Sequence, residues 1–200
     1  MLMPISACPG PGRAAFDLVA SSGPVDTTTD LTLAQISELA IRSGRLGKHP
    51  PLGFYIGKFG YTVGVDVSAY SEGDCPKPVR VTIALMLTDR HIEIGRELVA
   101  KPCFFSAARD HYLRHAAMDE TVLTEFAWAL EAALRRVPLP EMGHDETLAE
   151  ADRQRIEQAV TSVVELGLSA LDGARANARD QVNTLEEVRK LSEACALGGR

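Results

Sequence analysis

The chain has no C-x-x-C pair, no basic stripe and no apolar run long enough to cross a membrane. Its four cysteines, Cys8, Cys75, Cys103 and Cys195, lie far apart with no close histidine partner, which argues against a structural zinc site of the ribbon or finger type. Positive charge is the minority: 21 Lys and Arg stand against 27 Asp and Glu, a formal net charge of −6. Nucleic-acid binders carry a basic face, so no phosphate-backbone partner is expected. The longest apolar stretch, Val81 to Leu87, is interrupted by Thr82 and falls far short of the roughly 20 residues a membrane span needs. Met1 to Ala7 offers neither a basic n-region nor an adequate apolar h-region, so the chain as written carries no export signal and reads as cytoplasmic. A periplasmic or secreted location would require a signal segment upstream. In that case Ile5-Ser6-Ala7-Cys8 would have the look of a lipoprotein cleavage box.

What remains is 46% hydrophobic and 24% charged, the composition of a globular chain that can bury a core. Residues 1–24, rich in Pro and Gly, read as an N-terminal tether with an edge strand near Ala14 to Ala20, and residues 25–200 as one domain. Thr29 or Asp30 is placed to cap a helix that begins near Leu31, shows Leu33, Ile36, Leu39 and Ala40 on one face, and ends at Gly44. From Phe54 to Leu98 the apolar period becomes two. Tyr61, Val63, Val65 and Val67 alternate with polar or small residues, as do Val79, Val81, Ile83, Leu85 and Leu87. Thr88-Asp89-Arg90 reads as a turn into a third strand, where His91 and Glu93 share a solvated face. Beyond Cys103 the chain turns helical: one long helix runs to about Val137 and stops at Pro138-Leu139-Pro140. A second carries Ile156, Val160, Val163, Val164 and Leu168 or Leu171 inward, with Arg175 to Asn183 as its polar continuation. A last helix is capped by Thr184 with Glu187. The expected fold is α+β, a small antiparallel sheet packed against long helices.

An even number of cysteines at loop-like, Pro-marked positions favours disulfides. Cys75 with Cys103 would tie the strands to the first long helix, and Cys8 with Cys195 would tie the two ends, each worth about 2 to 4 kcal/mol. Four reduced thiols in a reducing compartment is the alternative.

The chemistry is concentrated in Asp110-His111-Tyr112-Leu113-Arg114-His115. Histidines four apart on a helix project from one face and can hold one metal ion. Here they fall on the apolar stripe with Val122, Phe126 and Leu130, and Asp119 follows one turn later. Asp119 suits a place behind His115, or that of a third ligand; Asp180, and less so Asp172, are the candidates for a ligand from the C-terminal region. In H-E-x-x-H the Glu after the first His takes a proton from metal-bound water, and here that position is Tyr112. A phenol with an ordinary pKa of about 10 is a poor base at neutral pH, and Asp110 and Glu120 point away from the His face. Without a metal, the histidines are core residues with hydrogen-bond partners, and the chain is a structural or interaction domain.

Several short motifs occur in an order that resembles a group of bacterial envelope proteins of zincin-like type, secreted zinc-dependent peptidases by expectation. They are Cys8-Pro9, Ile94-Gly95-Arg96-Glu97-Leu98, Cys103, the His111 to His115 segment, and Asn183-Thr184-Leu185-Glu186-Glu187 before Cys195. The resemblance implies that His111 and His115 are zinc ligands and that the cysteines form structural bridges. Two departures imply loss of activity: Tyr112 replaces the catalytic Glu, and Asn183 stands where the group has Asp. The function expected is therefore a degenerate, non-proteolytic metal-site protein that recognises a peptide or envelope partner, with a working zinc hydrolase as the weaker alternative.

Overall fold

The computed structural model describes residues 15–43, 50–66, 80–137, 150–182 and 195. The protein is α+β. In chain order the elements are β1 (Ala15–Ser22), β2 (Asp26–Thr28), α1 (Leu33–Arg42), β3 (Gly53–Asp66), β4 (Arg80–Ile94), a short 3-10 turn at Arg96–Leu98, α2 (Pro102–Leu134) and α3 (Glu150–Val182). The sheet is built on β4, with the order β1-β4-β2 and β3 also paired to β4. No helix among the described residues is long and apolar enough to cross a membrane.

The sheet departs from the antiparallel expectation. β2 runs parallel to β4, with Asp26 opposite His91 and Thr28 opposite Glu93. β3 runs against β4: the Gly95 amide donates to the Leu52 carbonyl at 2.9 Å, while Gly57 lies beside Leu87. The sheet is therefore mixed. Alternation in sequence reports which face a residue takes, and does not report strand direction.

Thr88-Asp89-Arg90 is no turn, since β4 passes straight through it to Ile94. Asp89 adopts a positive φ of 51°, the left-handed region that Asp tolerates better than most residues. Upstream of it the buried positions are the odd ones, Val81, Ile83, Leu85 and Leu87; downstream Arg90, Ile92 and Ile94 are buried. One extra residue shifts the register of faces, as a β-bulge does. The turn-like composition marks this shift rather than a chain reversal.

Contacts divide the chain into two compact units. One comprises 1–21, 61–85 and 125–170, and its buried side chains include Val81, Ile83 and Leu85 from β4, Ala127, Leu130 and Leu134 from α2, and Ile156, Val160 and Val164 from α3. Within it Gly167 lets the Phe126 ring approach α3, since a Cβ there would lie 2.6 Å from the ring. The other comprises 22–60, 86–124 and 171–200 and holds the histidine pair. Its core joins Tyr55, Ile92, Ile94, Leu98, Ala108 and Ala116, with Leu33, Phe104, Phe105, Tyr112 and Leu113 packed against them.

Helix α1 starts two or three residues later than Thr29 or Asp30 would set it. Thr32 is the cap: its side chain accepts from the Gln35 amide, and Gln35 reaches back to the Thr32 amide at 2.8 Å, a complete capping box. Ile36 is buried, whereas Leu39 is exposed, so the apolar face is narrower than its spacing suggests. Pro102 opens α2, where a missing amide proton costs nothing. Arg175 to Val182 continues α3, as the polar tail of the periodic pattern indicates.

The face carrying His91 and Glu93 is not solvated. Parallel pairing sets Thr28 beside Glu93 in register, and Glu93 becomes a buried acceptor of the Thr28 hydroxyl and, at 2.7 Å, of the Leu31 amide. His91 Nε2 lies 3.1 Å from the same hydroxyl. Burial alone would raise the carboxyl pKa, but these hydrogen bonds outweigh it and hold it below the ordinary value. A depressed folded pKa means the stabilisation is present above the unfolded value of about 4.3 and is lost as pH falls through the folded value. Glu93→Gln should cost on the order of 1.5 to 3 kcal/mol at neutral pH. In urea titrations from pH 7 down to 3 the gap to wild type should close only below about pH 4.3. A pH-independent gap would show that the charge on Glu93 contributes nothing.

Candidate metal centre

The sequence places two histidines on one helix face, and the structure brings their reactive nitrogens together. His111 and His115 lie in the first half of α2, the second 5% exposed, and their Nε2 atoms are 3.2 Å apart. The rings meet edge to face, with centroids 4.8 Å apart. Two nitrogens bound to one tetrahedral zinc at about 2.0 to 2.1 Å are separated by roughly 3.3 Å. The pair is thus spaced as two ligands of one ion. It is equally spaced for a hydrogen bond, in which one tautomer donates and the other accepts.

Tyr112 lies beside the pair and contacts both rings. Its ring makes a T-shaped contact with His111 at 5.0 Å and stacks near His115 at 6.1 Å with an interplanar angle of 25°. Its hydroxyl donates to the Gly53 carbonyl at 2.6 Å. Burial pushes the phenol up to about 12, so it remains protonated at neutral pH and cannot take a proton from water. Gly53 is required here: a Cβ would lie 2.2 Å from the Glu93 carbonyl oxygen and 2.8 Å from the Tyr112 ring.

Asp119, expected behind His115 or as a third ligand, is bonded to an arginine. The carboxylate is 1% exposed, and both oxygens bond to Arg175: Nε donates to Oδ1 at 2.8 Å and Nη2 to Oδ2. Arg179 approaches Oδ2 at 3.8 Å. Arg175 also donates to the Gly57 carbonyl at 2.8 Å and lies over the Phe59 ring at 4.9 Å. Asp119 is the anion of a buried ion pair that ties α3 to α2 and β3. Among the described residues no group of three His, Cys, Asp or Glu side chains is arranged to hold a metal. Asp180 falls in the last turns of α3 with its side chain outside the described residues, and Asp172 is exposed.

Glu120 pairs with Arg90 at 2.6 Å, and Arg90, itself buried, also donates to the Gly23 and Ala116 carbonyls at 2.7 and 3.1 Å. Asp110 is exposed. The disulfide pairing also needs correction. Cys103, in the first turn of α2, is bonded to Cys195, so neither Cys75–Cys103 nor Cys8–Cys195 forms. Cys8 and Cys75 lie outside the described residues, as do Asn183 to Glu187. Comparison of the chain with protein-family models, with curated proteins and with solved structures returns no match.

Proposed function

We propose that this chain is a zincin-like protein of the bacterial envelope that holds a divalent metal, zinc first among them, on His111 and His115 and does not cleave peptides. The 3.2 Å separation of the two Nε2 atoms supports this reading most directly, because it suits two ligands of one ion. Zinc bound there would act as a Lewis acid. Among the described residues the two nearest candidates for a base are otherwise engaged: Tyr112 is a fixed donor to Gly53, and Asp119 is neutralised by Arg175. Further ligands would come from outside the described side chains, Asp180 among them. The Cys103–Cys195 bond favours an oxidising compartment, in keeping with a periplasmic or secreted protein. Its partner would be a peptide or another envelope protein, bound rather than processed.

A metal-free domain with core histidines is the competing reading, and the same Nε2 contact, taken as a hydrogen bond, favours it. Elemental analysis of protein purified without a metal-binding tag separates the two. We expect about one zinc per chain, lost in a His111→Ala/His115→Ala variant that still folds. Absence of metal from the wild-type protein after dialysis against micromolar zinc would refute the proposal.

A further inference from the structure

We infer that Tyr112 is the positioning residue of the histidine pair, a phenol ring that holds both imidazoles in the orientation bringing their Nε2 atoms together. The inference rests on the reading of His111 and His115 as ligands and adds what keeps them convergent. Three contacts carry it. The ring lies 5.0 Å from His111, edge on, and 6.1 Å from His115, nearly parallel, so each imidazole has the same ring as one of its walls. The hydroxyl is fastened to the Gly53 carbonyl at the start of β3, 2.6 Å away, which fixes the ring against a strand rather than leaving it to its own rotamers. Gly53 has no Cβ, and the Tyr112 ring occupies the space a Cβ would need.

The i+1 position would otherwise be an unlikely place for such a role. Successive helical residues point about 100° apart and do not face one another. Tyr112 reaches both histidines because its side chain is long and is drawn toward Gly53. In the H-E-x-x-H arrangement this position serves proton transfer; here the same position serves geometry. Its ligand class is unchanged, a divalent d-block cation bound by imidazole. What Tyr112 would set is affinity, by sparing the site the cost of ordering two rings before the ion arrives.

The test uses cobalt(II) as probe, followed by its visible absorption, on the full chain and on Tyr112→Phe, Tyr112→Ala and Leu113→Ala. Tyr112→Phe keeps the ring and loses the Gly53 bond; it should weaken cobalt binding about 10-fold, and Tyr112→Ala about 100-fold, the range typical of groups that orient a ligand. Leu113→Ala, a cavity in the same core, should lower thermal stability and leave cobalt affinity unchanged. Metal-free protein provides a second readout. Long-range proton–nitrogen spectra should show one fixed tautomer for each imidazole in wild type and averaged tautomers in Tyr112→Ala. Wild-type cobalt affinity together with wild-type tautomers in Tyr112→Ala would overturn the inference. Should that variant not fold, undiminished cobalt binding by Tyr112→Phe would overturn it instead. If wild type binds no cobalt but the tautomers average in Tyr112→Ala, the metal reading fails and the positioning role stands.

Discussion

Replacing Cys103 with Ser should destabilise the protein by about 4 to 5 kcal/mol, the largest single effect expected in this chain. The bond to Cys195 closes a loop with a sequence separation of 92, and in the chain-entropy model the cost of leaving the unfolded chain uncrosslinked grows with the logarithm of that length. The location adds to the expectation. Cys103 sits in the first turn of α2, which leads through Phe104, Phe105 and Ala108 into the core behind the histidines. Without the bridge, the C-terminal end of the chain would lose its covalent hold on that helix. Cys195→Ser should cost the same as Cys103→Ser, and the double variant no more than either, because both remove one bond. Equilibrium urea unfolding of the three variants checks this. A double variant markedly less stable than the singles would mean that the two sulfurs act separately, and a loss under 1 kcal/mol would show that the bridge does not constrain the unfolded chain as the model supposes.

Much of the fold was legible because it depends on periodicity. The two long helices, the alternation along β3 and the first half of β4, and the inward stripe of Ile156, Val160 and Val164 follow from where apolar residues recur. Three features were not legible, for separate reasons. Strand direction is invisible to alternation, so the parallel pairing of β2 could not be read, nor the burial of Glu93 that results from it. The bulge at Asp89 has the composition of a turn, and only the change of buried parity along the strand distinguishes the two. Cysteine pairing depends on which loops meet in space, and spacing leaves several pairings open. The candidate site was legible as far as one helix carries it. His111 and His115 share a face by helical geometry alone. The hydroxyl bond of Tyr112 to Gly53 and the claim of Arg175 on Asp119 join residues 59 and 56 positions apart, and no local pattern announces them. The one available hint for Arg175 was its place on a polar helical continuation, four residues before Arg179.

Asp119→Ala should destabilise the protein by about 3 to 5 kcal/mol and leave metal binding largely intact. The carboxylate is buried and bonded to Arg175, whose side chain is 14% exposed. Removing the anion leaves a guanidinium without its charge partner in surroundings that include the Phe59 ring and the Gly57 carbonyl. Breaking a buried pair from one side is costly because the remaining charge retains its desolvation penalty without the attraction that offset it. For a domain of this size, such a loss corresponds to a melting temperature lower by roughly 6 to 20 °C. Arg175→Met tests the other half of the pair. It leaves the carboxylate with Arg179 at 3.8 Å in place of the close Arg175 pair, and should destabilise by a similar amount. The double variant Asp119→Ala/Arg175→Met should be less damaged than the sum of the two, since the charges disappear together. A ligand role for Asp119 predicts the opposite pattern: cobalt or zinc affinity would collapse in Asp119→Ala while Arg175→Met, by releasing the carboxylate, would strengthen it. Thermal unfolding and cobalt titration of the same four proteins therefore decide between an ion pair that holds α3 against α2 and a carboxylate that belongs to the histidine pair.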